Sequence, residues 1–151
     1  MPADNFIKLL PSLFEVNINT DKTGSIIFNK LASLLSFDEG FIYFLNPESL
    51  QLKYTYKKHA RYELESIFPI PELYKDVLFN QEGFITSNGD ELLKIVNLDK
   101  LNKKSYIFAK IAIRSTVFGI ILLAKKERDF YTNDDLILLN DRHIELLESL
   151  I

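Results

Sequence analysis

Two apolar runs near the C-terminus, Tyr106–Arg114 and Val117–Lys125, constrain the fold more than any other feature of the sequence. They are too apolar for surface strands, so they predict central strands of a sheet that is covered on both faces. Only a few residues separate them, whereas a parallel crossover needs about a dozen, so the two strands must pair antiparallel. Gly119 inside the second run predicts a bulge or a close approach by another element.

The residues after these runs carry the signals of a helix start. Thr132 is a favourable N-cap, and Asp135 three residues later completes a capping box with it. Tyr131 and Leu136 occupy the two positions of a hydrophobic staple. These signals predict a helix from about Asn133 to the end of the chain.

The first third of the sequence predicts two helices and a β-hairpin. The helical patterns cover Asp4–Val16 and Asp21–Ser36, and the hairpin strands are Gly40–Leu45 and Leu50–Lys58. In the second hairpin strand the alternation predicts one solvent-exposed face and one apolar face. The apolar face is formed by Leu50, Leu52, Tyr54 and Tyr56.

The middle of the sequence is the least regular part. HARYELESIF, residues 59–68, predicts a short helix that the following prolines end. Pro71–Asn80 predicts a second helix, because proline is well placed near a helix start. Gly83–Asn88 predicts a short strand. No repeat or flexible linker divides the sequence, so we expect one domain over residues 1–151.

Composition excludes several classes of protein. A hydrophobic content of 47% excludes a disordered chain, and a net charge of −3 gives no basic field for nucleic acid. The absence of cysteine excludes disulfides, thiolate metal sites and a cysteine nucleophile. The longest apolar run, Val117–Ala124, is far below the roughly 20 residues of a membrane-spanning helix, and MPADNF is not a signal peptide. We therefore expect a cytoplasmic protein without nucleic-acid or membrane partners.

The order of these elements, together with SYIFAKIAIRSTVFGIILLAKKERDFYTNDDLILL, resembles the GAF domain family. The resemblance covers nearly the whole chain and is strongest over Ser105–Leu147. It implies an α+β fold with a central antiparallel sheet, N- and C-terminal helices packed on one face, and short helices and loops over the other. A PAS-like domain is the alternative fold, but two helices before the first strand and a long terminal helix favour GAF.

The resemblance also bears on particular residues. Cyclic-nucleotide-binding members carry Asn-Lys, Phe and Asp-Glu, where this chain has Ala124-Lys125, Phe130 and Asp134-Asp135. By resemblance, Lys125 and Asp134 form an ion pair that steadies the junction between strand and helix; the alternative is a solvated pair and a helix cap. Family members that attach bilin or reduce free methionine sulfoxide use cysteines, and this chain has none.

In GAF-like domains the ligand pocket lies between the sheet and the irregular middle segment. In this chain such a pocket would draw on Tyr43, Tyr54, Tyr56, Tyr62, Phe84, Thr86, Phe108, Lys110 and Arg114. Aromatic walls with two cations suit a planar or anionic small molecule, although no cofactor can be identified. The alternation of the first apolar run places Lys110 and Arg114 on the pocket side and turns Ile107, Ala109, Ile111 and Ile113 toward the long helices. The alternative is that the cations reach solvent, or that the protein's own side chains fill the pocket.

The terminal helices carry more apolar surface than a sheet requires. Each apolar arc spans roughly half the helix circumference, whereas packing on a sheet needs about 100°. We therefore predict a homodimer whose seam is formed by Leu9, Leu13, Asn140, His143, Leu147 and Leu150. The alternative is that the surplus covers the first two helices within one chain.

The sequence offers no catalytic constellation. Ser105, Ser115 and Thr116 have no histidine nearby in sequence, and five glycines form no phosphate-binding loop. His59 and Glu63 have helical i, i+4 spacing without a third ligand, so no metal site is predicted. We expect a sensory or regulatory domain, not an enzyme, which binds a small molecule or partner and signals through its terminal helices. The alternatives are a ligand-free dimerisation module and, less favoured, a stand-alone enzyme on the same scaffold.

Overall fold

The computed structural model describes residues 27–45, 48–56, 66–80, 83–87, 90–96, 98, 103–113 and 116–148. The strands are β1 (Glu39–Leu45), β2 (Ser49–Thr55), β3 (Ile67–Pro69), β4 (Gly83–Ser87), β5 (Ser105–Ile113) and β6 (Thr116–Lys125). The helices are α1, described over 27–32, α2 (Glu72–Asn80), α3 (Glu91–Ile95) and α4 (Asn133–Glu148). The predicted helix Asp4–Val16 and the predicted site residues Leu9, Leu13, Tyr62, Arg114 and Leu150 lie outside the described residues.

Within the described residues, the six strands form one antiparallel sheet in the order β3-β2-β1-β6-β5-β4. The predicted central pair is confirmed, because β5 and β6 are both interior strands and pair with each other. The bulge predicted at Gly119 is also confirmed: Ile111 pairs with Gly119 while Ala112 pairs with Val117, which leaves Phe118 as the extra residue.

We call one side of the sheet the helix face. Its buried strand residues are Ile42, Tyr54, Ile107, Ala109, Ile111, Ile121 and Leu123. Helix α1 packs on them through Ile27, Phe28 and Leu31, and α4 packs on them through Leu139. The prediction that alternate residues of the first apolar run meet the long helices is thus confirmed for Ile107, Ala109 and Ile111.

We call the other side of the sheet the cap face. Its buried strand residues are Phe41, Tyr43, Leu45, Leu50, Leu52, Tyr106, Phe108, Ile120, Leu122 and Ala124. These residues are covered by Ile70 and by Leu93, Val96 and Leu98 in the segment of α3. Tyr74 of α2 packs against the same cluster. The sheet is therefore covered on both faces, as the two apolar runs predict, and both faces of the sheet contribute to the core.

A bulge in β2 overturns the predicted alternation of that strand. Ile42 pairs with Tyr54 and Tyr43 pairs with Leu52, so Lys53 is the extra residue. One extra residue reverses the side to which the following side chains point. Leu50 and Leu52 therefore lie on the cap face, whereas Tyr54 lies on the helix face. The prediction of a solvent-exposed face that includes Lys53 is wrong as well, because Lys53 is only 4% exposed.

The predicted helix over residues 59–68 is wrong at its C-terminal end. Ile67–Pro69 forms the edge strand β3, which pairs with β2 through Ser49↔Pro69 and Gln51↔Ile67. Residues 57–65 lie outside the described part of the chain. In the described helices we find none that is long and apolar enough to cross a membrane.

Candidate functional site

Two stacked rings mark the β4 end of the cap face. Phe84 pairs with Phe108 in the β4–β5 register, and their ring centroids lie 4.6 Å apart at an interplanar angle of 15°. Phe108 is buried and Phe84 is half-buried, so one side of this stack remains accessible. Gly83 lets β4 approach β5 this closely, because it has a φ of 147° and an added Cβ would collide with the carbonyl oxygen of Phe108.

Lys110 brings a cation to the same side of the sheet. It lies two residues after Phe108 in β5 and pairs with Ile120, a buried residue of the cap face. Its side chain is half-buried, as is that of Phe84. The structure thus brings together three predicted site residues: the aromatic pair and one of the two predicted cations.

Buried tyrosines form the interior of the cap face. Tyr43 and Tyr106 are each 1% exposed. The ring of Tyr43 stacks on Phe41 at 6.5 Å and meets Phe68 edge-on at 6.2 Å. The hydroxyl of Tyr106 donates to the carbonyl oxygen of Lys103 at 3.4 Å. Tyr106 and Phe68 were missing from the predicted site, although Tyr106 shares the two-residue period of Phe108 and Lys110.

Two predicted pocket residues lie on the other side of the sheet. Tyr54 is buried on the helix face, and Tyr56 packs against the same cluster. The ring of Tyr56 lies 4.9 Å from that of Phe37 at an angle of 78° and 5.8 Å from that of Phe28. Placing Tyr54 and Tyr56 in a cap-face pocket is therefore wrong, because the bulge at Lys53 reverses their direction.

Thr86 lies at the C-terminal end of β4, where its hydroxyl donates to Asp90 Oδ2 at 2.8 Å. This end of the sheet borders a cleft of about 370 Å³ that is lined by Ile85, Thr86, Ser87, Lys104, Ser105, Asp129 and Tyr131. Ser105 Oγ donates to the carbonyl of Glu127 at 2.6 Å and accepts from the amide of Phe130 at 3.0 Å. The serine hydroxyl thus bridges two backbone groups of the loop before α4.

A hydrogen bond joins α2 to α3 above the cap face of the sheet. The hydroxyl of Tyr74 in α2 donates to Glu91 Oε2 in α3 at 3.3 Å. Partial burial raises the pKa of Tyr74, and the carboxylates of Glu91 and Asp90 add to this effect. Beside this bond lies a groove of about 330 Å³ along Pro71, Leu73 and Lys94, in which Leu73 is 80% exposed. We call α2 and α3 the cap helices, and this hydrogen bond joins them at the surface of the protein.

The prediction that Lys125 pairs with Asp134 is wrong, because Lys125 pairs with two other carboxylates, those of Asp38 and Glu127. Lys125 Nζ lies 3.7 Å from Asp38 Oδ1 and 3.9 Å from Glu127 Oε2, and it donates to Ser36 Oγ at 2.9 Å. Asp134 is exposed in the first turn of α4. Two of these partners, Ser36 and Asp38, follow α1, and their contact with Lys125 cannot be read from the sequence spacing.

The predicted start of α4 is confirmed. The amide of Thr132 donates to Asp135 Oδ2 at 2.9 Å, and the amide of Asp135 donates to Thr132 Oγ1 at 3.3 Å. This reciprocal pair is the capping box. The preceding residue, Tyr131, donates its hydroxyl to the carbonyl of Ser36 at 2.9 Å. Burial raises the pKa of Tyr131, and the nearby carboxylate of Asp38 raises it further.

Only part of the predicted dimer seam falls on residues that the structure describes. Asn140 is half-buried on α4, and its neighbour Leu139 is fully buried against the sheet. Ile137 on the same helix is 57% exposed. His143 and Leu147 belong to α4, but their side chains lie outside the described part of the structure. The seam therefore stays a prediction.

Comparisons with known proteins agree with this architecture. The sequence model of the GAF domain matches residues 19–142. The chain is similar in structure to the GAF domain of a two-component sensor histidine kinase from Bacillus halodurans, with a TM-score of 0.64 and 23% identity over 86% of this chain and 94% of that chain. No curated protein sequence matches the chain.

Two further solved structures are similar at lower identity. The GAF domain from a phosphoenolpyruvate-protein phosphotransferase of Coxiella burnetii gives a TM-score of 0.65 at 14% identity, over 99% of this chain and 95% of that chain. A type II free methionine-R-sulfoxide reductase from Thermoplasma acidophilum gives 0.58 at 13% identity, over 86% and 92%. At such low identities the structural likeness shows the fold alone.

Proposed function

The chain belongs to the GAF domain family of sensory and regulatory domains, and on this premise we propose that it binds a small molecule on its cap face within a cytoplasmic signalling protein. The observation that supports the proposal most directly is the stack of Phe84 on Phe108 with Lys110 beside it. This group lies at the β4 end of the sheet, where the side chains of Phe84 and Lys110 are half-buried.

The chemistry of this group selects a planar anion. An accessible phenyl ring offers its face to a flat ligand, and a half-buried ammonium interacts more strongly with a carboxylate or phosphate than a fully hydrated one does. Tyr43 and Tyr106 lie deeper and are nearly inaccessible, so they would form the floor beneath the ligand. The ligand would enter between this floor and the cap helices, whose contact through Tyr74 and Glu91 is a hydrogen bond on the surface.

Transmission to α4 follows from the position of β5. Phe108 faces the cap, whereas its neighbours Ile107 and Ala109 face the helices. A ligand that displaces Phe108 thus acts on a strand whose other side supports α4 through Leu139. A signal requires the ligand to favour one of two packings of that helix.

Native mass spectrometry of the freshly purified chain tests the binding proposal. We expect retained mass beyond the polypeptide, or a rise in melting temperature with at least one compound of a nucleotide and aromatic-carboxylate panel. Lys110→Met and Phe84→Ala should remove the effect, whereas Lys126→Met, which removes an exposed lysine charge from the loop before α4, should retain it. A wild type that retains no mass and responds to no compound would refute the proposal.

One observation favours a second function, a dimerisation module without a ligand. Leu93, Val96 and Leu98 are each at most 1% exposed and fill the space above the sheet. A protein whose cap is permanently closed in this way would use its terminal helices alone. It would appear as a clean dimer that no compound of the panel stabilises.

For either function we propose a homodimer through the terminal helices. The seam would comprise Leu9 and Leu13 of the N-terminal segment with Asn140, His143, Leu147 and Leu150 at the C-terminus. The support for this seam is the apolar arc of the terminal helices, which is wider than packing on a sheet needs.

A further inference from the structure

The end of α1, the end of β6 and the start of α4 meet at one corner of the helix face. Ser36 follows α1, Lys125 ends β6, and Tyr131 directly precedes the N-cap of α4. Lys125 Nζ donates to the hydroxyl of Ser36 at 2.9 Å, and the Tyr131 hydroxyl donates to the carbonyl oxygen of Ser36 at 2.9 Å. We call Ser36, Asp38, Lys125 and Tyr131 the corner joint.

Asp38 strengthens this joint through backbone and side chain. Its amide donates to the carbonyl oxygen of Ala124 at 2.8 Å, and its Oδ2 accepts from the amide of Lys126 at 2.7 Å. Its other carboxylate oxygen, Oδ1, lies 3.7 Å from Lys125 Nζ. The turn after α1 is thereby held to the end of β6 by two hydrogen bonds and an ion pair, and the short carboxylate bond is of the stronger, charge-assisted kind.

Lys125 is placed to act on both sides of the joint. Its side chain is 16% exposed, so its ammonium is screened less than that of a surface lysine. Phe130, which precedes Tyr131, lies under this ammonium at 5.0 Å from the ring centroid. The ring of Phe130 in turn meets that of Tyr131 edge-on at 5.2 Å. Lys125 therefore contacts the turn after α1 and the segment that leads into α4.

We infer that the corner joint couples α1 to α4, with Lys125 as the residue that positions the start of the terminal helix. Ser36 accepts one hydrogen bond from β6 and one from the residue before α4, so any displacement of the turn after α1 acts on both. The inference deepens the proposed function, since it names a route by which a regulatory domain would pass displacement between its helices. It requires no bound ligand.

Hydrogen exchange of the full chain, without added ligand, tests the joint in wild type, Lys125→Met and the control Lys126→Met. A hydrogen bond to a charged group contributes enough to change local opening on the order of tenfold or more. Lys125→Met should therefore speed exchange by on the order of tenfold both in residues 33–38 and in the first two turns of α4. Helix α2, which packs over the opposite face of the sheet through Tyr74, should exchange as in wild type. The Lys126→Met protein should exchange as wild type does throughout.

Two further variants keep the test decisive. If Lys125→Met does not fold, Ser36→Ala removes only the hydroxyl acceptor and should give the same pattern, whereas Lys125→Arg, which keeps the charge, should remain near wild type. Tyr131→Phe combined with Ser36→Ala should change α4 exchange by a factor that differs from the product of the single effects, because both hydrogen bonds end on Ser36.

Unchanged exchange in α4, a change confined to residues 33–38, or strictly multiplicative single effects would each overturn the inference. These outcomes are separate from the ligand test, because exchange is measured on the ligand-free chain. If the protein binds no ligand but shows the coupled change in exchange, the inference stands and the binding proposal fails. If the protein binds a ligand but shows no coupled change, the binding proposal stands and the inference fails.

Discussion

Gly40 lies so close beneath Phe28 that a methyl group on its Cα would come within 2.6 Å of the ring atom Cε1. The same methyl group would meet Leu123 Cδ2 at 3.3 Å. Phe28 belongs to α1 and Gly40 to β1, so the missing side chain allows the helix to rest directly on the sheet. This approach fixes the distance between α1 and the helix face.

We therefore expect Gly40→Ala to destabilise the protein by about 1–3 kcal/mol, the usual cost of an added group in a close-packed core. Urea unfolding of wild type and variant measures the difference. Phe28→Leu should reduce the cost of Gly40→Ala in the double variant, because the smaller side chain makes room for the methyl group. A double variant whose loss equals the sum of the single losses would contradict this explanation.

The capping box gives a second prediction. Thr132→Ala removes the oxygen that accepts from the amide of Asp135, so the free energy of unfolding should fall by about 1 kcal/mol. Thr132→Ser keeps that oxygen and serves as the matched control. Thermal unfolding at one pH compares the three proteins, and equal losses for the alanine and serine variants would show that the hydroxyl is not the stabilising group.

Alkaline pH gives a third prediction. Burial raises the pKa of Tyr131 above its ordinary value of 10.0, with a further contribution from Asp38. The folded state therefore disfavours the phenolate. The contribution of Tyr131 to the free energy of unfolding is complete below about pH 10 and is lost as the pH rises further. Tyr131→Phe should be less stable than wild type at pH 8, by about 0.5–1.5 kcal/mol for the lost hydrogen bond.

The difference in stability between Tyr131→Phe and wild type should shrink above about pH 10. Ionisation of this phenol in the unfolded wild type lowers the stability of the wild type, whereas phenylalanine has no group that ionises. Chemical denaturation at several alkaline pH values gives both stability curves. Curves that remain parallel through this range would show that Tyr131 does not titrate as its burial requires.

The seam supplies a fourth prediction. Leu147→Lys together with Leu150→Lys places two charges in the expected contact between copies, so the sedimentation coefficient should fall to that of a monomer. Lys126→Met, which changes charge in the loop before α4, should leave the association unchanged. A wild type that sediments as a monomer, or a double variant that remains a dimer, would rule out this seam.

Local sequence patterns were sufficient to predict most of the framework. The two apolar runs, the capping box at Thr132 and the glycine at 119 each predicted a feature that the structure contains, because each depends on neighbours in the chain. The placement of α1 and α4 on one face followed from the same alternation in β5 and from the family resemblance.

The candidate site was less predictable because it depends on register. One extra residue at Lys53 moves Tyr54 and Tyr56 to the helix face, and no sequence signal distinguishes this strand from a regular one. The partner of Lys125 is likewise set by tertiary structure, since Ser36 lies 89 residues earlier in the chain. The sequence predicts that Phe84 and Phe108 line the same pocket, but their stacking depends on the β4–β5 register.

Under the proposed function, a small molecule bound on the cap face changes the packing of α4. Hydrogen exchange of the full chain, with and without the panel compound that raises the melting temperature most, tests this directly. We predict slower exchange in β4 and β5 and, in the same experiment, altered exchange in Asn133–Glu148; Lys110→Met should abolish both changes. Protection in the strands with no response in α4, or protection that survives in Lys110→Met, would refute ligand-dependent repacking of α4.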